Sequence, residues 1–124
     1  MHTLIWIGLG GSLGSIARAL CTSLSPAPSP GSFPIATLVV NVVGCLIIGS
    51  VYGSLAQTKL SSSAMAFLTT GFCGGFTTFS AFSMETVTLL RGGHTTMAML
   101  YGVLSVALGI VATGIGILAA RLWQ

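Results

Sequence analysis

Asn41, Thr37, Arg18 and Glu85 stand in stretches where most neighbours are apolar. So do Tyr101 and Ser105, four apart, and the cluster Thr77, Thr78, Ser80 and Ser83. Polar side chains at membrane depth are costly and usually functional. The chemistry of this set is one-sided. Asn41 brings amide donors, every hydroxyl brings one more, and Arg18 adds a fixed positive charge. Against them stands Glu85, the single acid in the sequence. Donors and bases that outnumber acids suit an anion better than a cation. Phe79 and Phe82 are three apart and share a helical face. Ring edges carry partial positive charge, so this pair can support a small bare anion where water has no room. Each residue also has a plainer use. Serine and threonine can bond the carbonyl one turn back, Tyr101 can anchor at the lipid interface, and Arg18 can snorkel to headgroups. Glu85 can balance Arg18 or cap a helix, and the two rings can face lipid. As a set, they fit those uses poorly.

The elements that must position these groups follow from composition. The chain has 124 residues, is 53% hydrophobic and only 4% charged, and has a mean hydropathy of +1.00. Soluble domains carry roughly 25% charged residues, so this chain cannot coat itself against water. It is an integral, multi-pass membrane protein. The formal charge of +3 rests on 4 basic residues, Arg18, Lys59, Arg91 and Arg121, which form no patch. That excludes a nucleic-acid partner. Cys21, Cys45 and Cys73 have no CxxC spacing and no neighbouring histidine, so they read as buried free thiols and not as a metal site. His2 and His94 have no partner in sequence. The N-terminus lacks basic residues before its apolar run and reads as a retained first span.

About 20 apolar residues cross the hydrocarbon core. The chain therefore divides into one domain of four spans, approximately 3–24, 35–56, 63–90 and 95–122, joined by short loops. No room is left for a soluble catalytic domain, so an enzyme is not expected. The third span is too long: about 28 residues make roughly 42 Å of helix against a core near 30 Å. Tilt is one way to absorb the excess. An interruption is the other, and Gly71, Gly74 and Gly75 mark where it would fall. Broken backbone at that depth survives only inside protein or along a cavity, and its freed carbonyls can bind a cation. Lys59 and Arg121 fall on one side of a four-span chain, Arg18 and Arg91 on the other. This balance leaves the orientation rule without a preference, which admits either one fixed topology or insertion both ways with antiparallel self-pairing. Gly10–Gly14 and Gly49–Gly53 fit GxxxG, a spacing that favours close helix assembly. The Gly8–Gly14 run lacks dinucleotide-binding spacing.

The run GFCGGFTTFSAFS, with TLVVNVVGCLIIG before it and the early GGSLGSIAR, resembles the fluoride channels of the Fluc (CrcB) family over essentially the whole chain. The resemblance implies an all-α membrane protein of the bacterial inner membrane, with four transmembrane helices and a broken third. It further implies an antiparallel, dual-topology homodimer in lipid with two pores, through which fluoride leaves the cytoplasm passively. On that pattern Asn41 donates to fluoride, and Phe79 and Phe82 line each pore with their edges. Ser80, Ser83, Tyr101 and Ser105 fall on the polar track along the pathway, which Thr37 and Thr78 join, and Arg18 is the vestibule arginine. Gly74 and Thr77 match the residues whose backbone carbonyls hold a structural sodium ion at the dimer centre. Ala81 and Gly109 depart from relatives that carry hydroxyls there. The rival is a small proton-coupled multidrug exporter. Such exporters depend on a first-span glutamate, which is absent, so Glu85 would have to serve from the third.

Overall fold

The computed structural model describes residues 1–55 and 59–123, all of whose regular structure is helical. Helix α1 (His2–Ser23) and helix α2 (Ile35–Ser54) flank a loop rich in proline. A segmented region follows, made of α3 (Ser62–Ala66), a π-helical stretch (Phe67–Cys73), α4 (Gly74–Phe76) and α5 (Phe79–Arg91). Helix α6 (Thr95–Leu122) closes the chain. Helices α1, α2 and α6 are each long and apolar enough to cross a membrane. Their bounds agree with the expected first, second and fourth spans to within two residues. Ala56, the expected end of the second span, and the start of its loop lie outside the described residues.

The segmented region is interrupted, but not by glycine. Gly74 has ordinary helical dihedrals (φ −63°, ψ −38°), and Gly71 and Gly75 also lie within helical turns. The extended residues are Thr77 (φ −80°, ψ 159°) and Thr78 (φ −150°, ψ 115°). Two reasons are local. Threonine is β-branched and fits extended backbone, and the Thr78 hydroxyl accepts the Ala81 N–H at 3.2 Å, which starts α5 with a side-chain cap. Upstream, π-helical turns are rare and gather at functional sites.

The glycines instead set how closely helices approach. A Cβ on Gly10 or Gly14 would run into backbone of Phe67, Phe72 or Phe76, and one on Gly75 into backbone of Gly11. On the other side, Gly49 and Gly53 lie against the carbonyls of Thr113 and Ile117, and Gly116 against that of Leu46. In both pairings the contact positions rise together along the chain. Thus α1 runs parallel to the segmented region and α2 parallel to α6, as alternating spans require. Both GxxxG faces are therefore consumed within one chain and do not supply an assembly surface.

Gly14→Ala should consequently destabilise the protein by about 1–3 kcal/mol, because rigid backbone cannot yield to the added methyl. Gly8→Ala, where nothing lies within 4 Å, should be neutral or better. Thermal unfolding of the two variants checks this.

Gly31 (φ 77°) has no room for a side chain because the His94 ring covers it. This contact brings the α1–α2 and α5–α6 loops to one end of the protein. Just inside that end lies the core, Leu38, Leu89, Ala98 and Tyr101, with Phe33, Val42, Phe82 and Met97 packed on it.

Candidate functional site

Interrupting a helix releases donors and acceptors that cannot stay bare away from water. Asn41, in the middle of α2, meets two of them. Its Oδ1 accepts the Thr78 N–H at 2.8 Å, and its Nδ2 donates to the Thr78 carbonyl at 3.1 Å. This pair of bonds also fixes which way round the amide lies. From α1, Arg18 donates to the Thr77 carbonyl at 3.0 Å, and Ser15 one turn earlier donates to the Gly75 carbonyl at 3.4 Å. Because the Thr78 N–H goes to Asn41, the Gly74 carbonyl loses its helical donor. Gly74 itself is exposed, and a side chain there would meet almost nothing.

Beside the break is a cavity of about 270 Å³, lined by Asn41, Cys45, Thr77, Thr78, Phe79, Phe82, Ser105 and Val106. Five of the ten expected pathway residues meet here. The second amide hydrogen of Asn41 has no partner among the described residues. The buried hydroxyl of Ser105 also has none, which leaves its proton free to turn into the cavity. Buried polar atoms without a partner are uncommon and mark places where water or an ion completes the bonding. Phe79 and Phe82 stand with ring centroids 5.7 Å apart at 40°. Phe82 leans on the Tyr101 ring at 5.0 Å, whereas Phe79 is 79% exposed on the outer wall.

Thr37 and Tyr101 form a second group, around Glu85. Thr37 donates to one carboxylate oxygen at 2.7 Å and Tyr101 to the other at 2.6 Å. Tyr101 is wholly buried, so it is no interfacial anchor. Each hydroxyl has a single proton, and both protons are directed at Glu85. Thr37 and Glu85 face a larger cavity of about 700 Å³ under the proline-rich loop. Glu85 therefore does not balance Arg18, since each charge has neutral partners of its own.

The remaining expected residues are less central. Ser80 is exposed, 3.2 Å from the Thr78 hydroxyl. Ser83 is half-buried and lines neither cavity, and Arg18 also lies outside both. Cys21 is exposed on the outer surface of α1, contrary to the expectation of three buried thiols, and only Cys73 is fully buried. Cys45 also lines the smaller cavity, and its place one turn after Asn41 on the same face is the signal for it. Ser15 stands in the same relation to Arg18, one turn before it.

Helices of membrane-crossing length packed around a donor-lined cavity at a helix break define a multi-pass membrane protein. Comparison with known proteins agrees. Residues 5–117 match the family model described as CrcB-like protein, Camphor Resistance (CrcB), and the chain belongs to this family. It is 46% identical over 122 residues to a protein of Flavobacterium psychrophilum named fluoride-specific ion channel FluC, with 98% of each chain covered. It is 44% identical over 125 residues to one of the same name from Chlorobaculum tepidum, covering 100% of this chain and 98% of the relative. A FluC 2 of Rhodococcus jostii is 44% identical over 114 residues, covering 92% and 95%.

Proposed function

We propose that this protein is a fluoride-selective channel, not an enzyme, that lets fluoride leave the cytoplasm down its gradient. The observation that carries this reading is the cavity at the break. It offers the free amide hydrogen of Asn41 and the unpartnered Ser105 hydroxyl beside two phenylalanine edges, and no carboxylate among the described residues lines it. Fluoride is small and strongly hydrated, so its passage requires donors that replace water without trapping the ion. Beyond Phe82, Thr37 and Tyr101 can turn their protons from Glu85 to a passing anion and back. Ser80, Ser83 and Arg18 would act at the approaches to this cavity. Purified protein in liposomes should release fluoride under voltage or a fluoride gradient alone. Release that required a proton gradient would favour an exporter. No flux at all would overturn the channel reading.

The broken region 62–91 serves as the third of four membrane crossings, between α2 and α6. An antiparallel, dual-topology homodimer fits two features: the balanced basic residues and Phe79, which leaves one wall of the cavity uncovered. Single-cysteine labelling in loops should find each loop reactive from both sides of the membrane. Labelling from one side only would exclude dual topology.

A structural sodium ion at the dimer centre fits the residues in part. The break takes from the Gly74 carbonyl its helical donor, the Thr78 N–H, and Gly74 is exposed. The Thr77 carbonyl has one lone pair occupied by Arg18 and a second available. Sodium bound there would supply a fixed positive charge that joins two copies, stabilising the dimer by linkage.

A further inference from the structure

Asn41 on α2 and Ser105 on α6 line the smaller cavity, and one turn beyond them along each helix stand Cys45 and Gly109. A Cβ on Gly109 would sit 3.4 Å from the Cys45 sulfur. The thiol thus covers the gap that the missing side chain leaves on α6. One further turn along, the two helices touch, because a Cβ on Gly49 would collide with the Thr113 carbonyl. An anion leaving Ser105 in this direction therefore meets position 45 before the space between the helices closes.

The hydroxyls around this level already point elsewhere. Thr113 donates to the Gly109 carbonyl at 3.0 Å, and Ser50 donates to the Leu46 carbonyl at 2.9 Å. The half-buried Cys45 thiol has no such partner among the described residues. It lines the same cavity as Ser105, whose buried hydroxyl is also unpartnered. A thiol is a small, polarizable group and a weak donor. Weakness suits the place, since a permeating ion must be passed on and not kept.

We propose that Cys45 is a further pathway residue: its S–H follows the Asn41 amide and the Ser105 hydroxyl as the next donor to fluoride, supplied from α2 where α6 has only Gly109. The inference rests on the channel reading above.

The test is fluoride efflux from liposomes, with unfolding temperatures measured on the same samples. Cys45→Ala removes the donor and should slow efflux by about tenfold, the equivalent of one lost hydrogen bond of about 1.4 kcal/mol. Cys45→Ser keeps a donor and should stay close to the wild-type rate. Both variants are smaller than cysteine, so a residue that only filled space would make them behave alike. Equal efflux through the two would overturn the proposal. A second pair places the donor on the opposite helix. In Cys45→Ala protein, adding Gly109→Ser should restore most of the lost rate, whereas adding Gly109→Ala returns bulk without a donor and should not. Recovery by alanine as fully as by serine would reduce Cys45 to packing, while the channel reading would stand. Absence of flux from wild-type protein would instead defeat the channel reading, and this proposal with it.

Discussion

Phe82→Ile is expected to slow fluoride efflux from liposomes at least about a hundredfold while the protein stays folded. Phe82 occupies a joint between two groups. One face of its ring leans on buried Tyr101, whose hydroxyl bonds Glu85, and its other side lines the cavity with Asn41 and Ser105. Isoleucine fills comparable space and costs little in packing, since hydrophobic swaps of similar volume are tolerated best. It has no electropositive edge, however. Where water has been excluded, loss of that partner raises the barrier by about 3 kcal/mol, which is roughly a hundredfold in rate. Fluoride release measured with an electrode, alongside gel filtration of the same sample, separates the two effects. Wild-type flux through folded Phe82→Ile protein would show that the ring is packing alone. Phe79→Ile is the companion experiment. Its exposure in one chain means that its effect depends on what covers it in the membrane.

Asn41→Asp is expected to eliminate flux and to lower stability as well. An asparagine that only donated to the anion could be replaced with no effect on unfolding. Here the amide bonds both polar groups of the Thr78 backbone. An ionised aspartate keeps an acceptor for the N–H but sets a charged oxygen against the Thr78 carbonyl, where Nδ2 now stands at 3.1 Å. One hydrogen bond becomes a repulsion, and a buried charge without a partner costs several kcal/mol. The unfolding temperature of Asn41→Asp should fall clearly below wild type at neutral pH, together with the loss of efflux. Lost flux with unchanged stability would reduce Asn41 to a donor and remove its role in bracing the break.

How far the sequence could be read differs from one feature to the next, and the reasons are physical. Three of the four expected spans were legible because burial in lipid demands uninterrupted apolar runs of a fixed length, and α1, α2 and α6 are such runs. The anionic preference was legible because donors outnumber acids regardless of how the chain folds. The break was foreseen in the right segment but assigned to Gly71, Gly74 and Gly75. Glycine permits unusual backbone without requiring it. In this protein all three stay helical, Gly71 and Gly75 letting α1 approach, while β-branched Thr77 and capping Thr78 interrupt the chain.

Partnerships across helices were out of reach, because they depend on rotation and register that no local pattern encodes. That Asn41 would meet Thr78, that Thr37 and Tyr101 would converge on Glu85, and that Arg18 would seize the Thr77 carbonyl required α1, α2, the segmented region and α6 in their final places. The same holds for the GxxxG pairs, whose spacing announces close contact but not which helix makes it. By itself the sequence determined a membrane protein with an overlong third segment and an excess of donors, since composition and length alone impose these. Only the tertiary structure decided which donors are spent on the protein's own backbone and which, Ser105 and one hydrogen of Asn41, are left free. A hydrogen bond is directional and short, and it exists only when two groups arrive at one point in space.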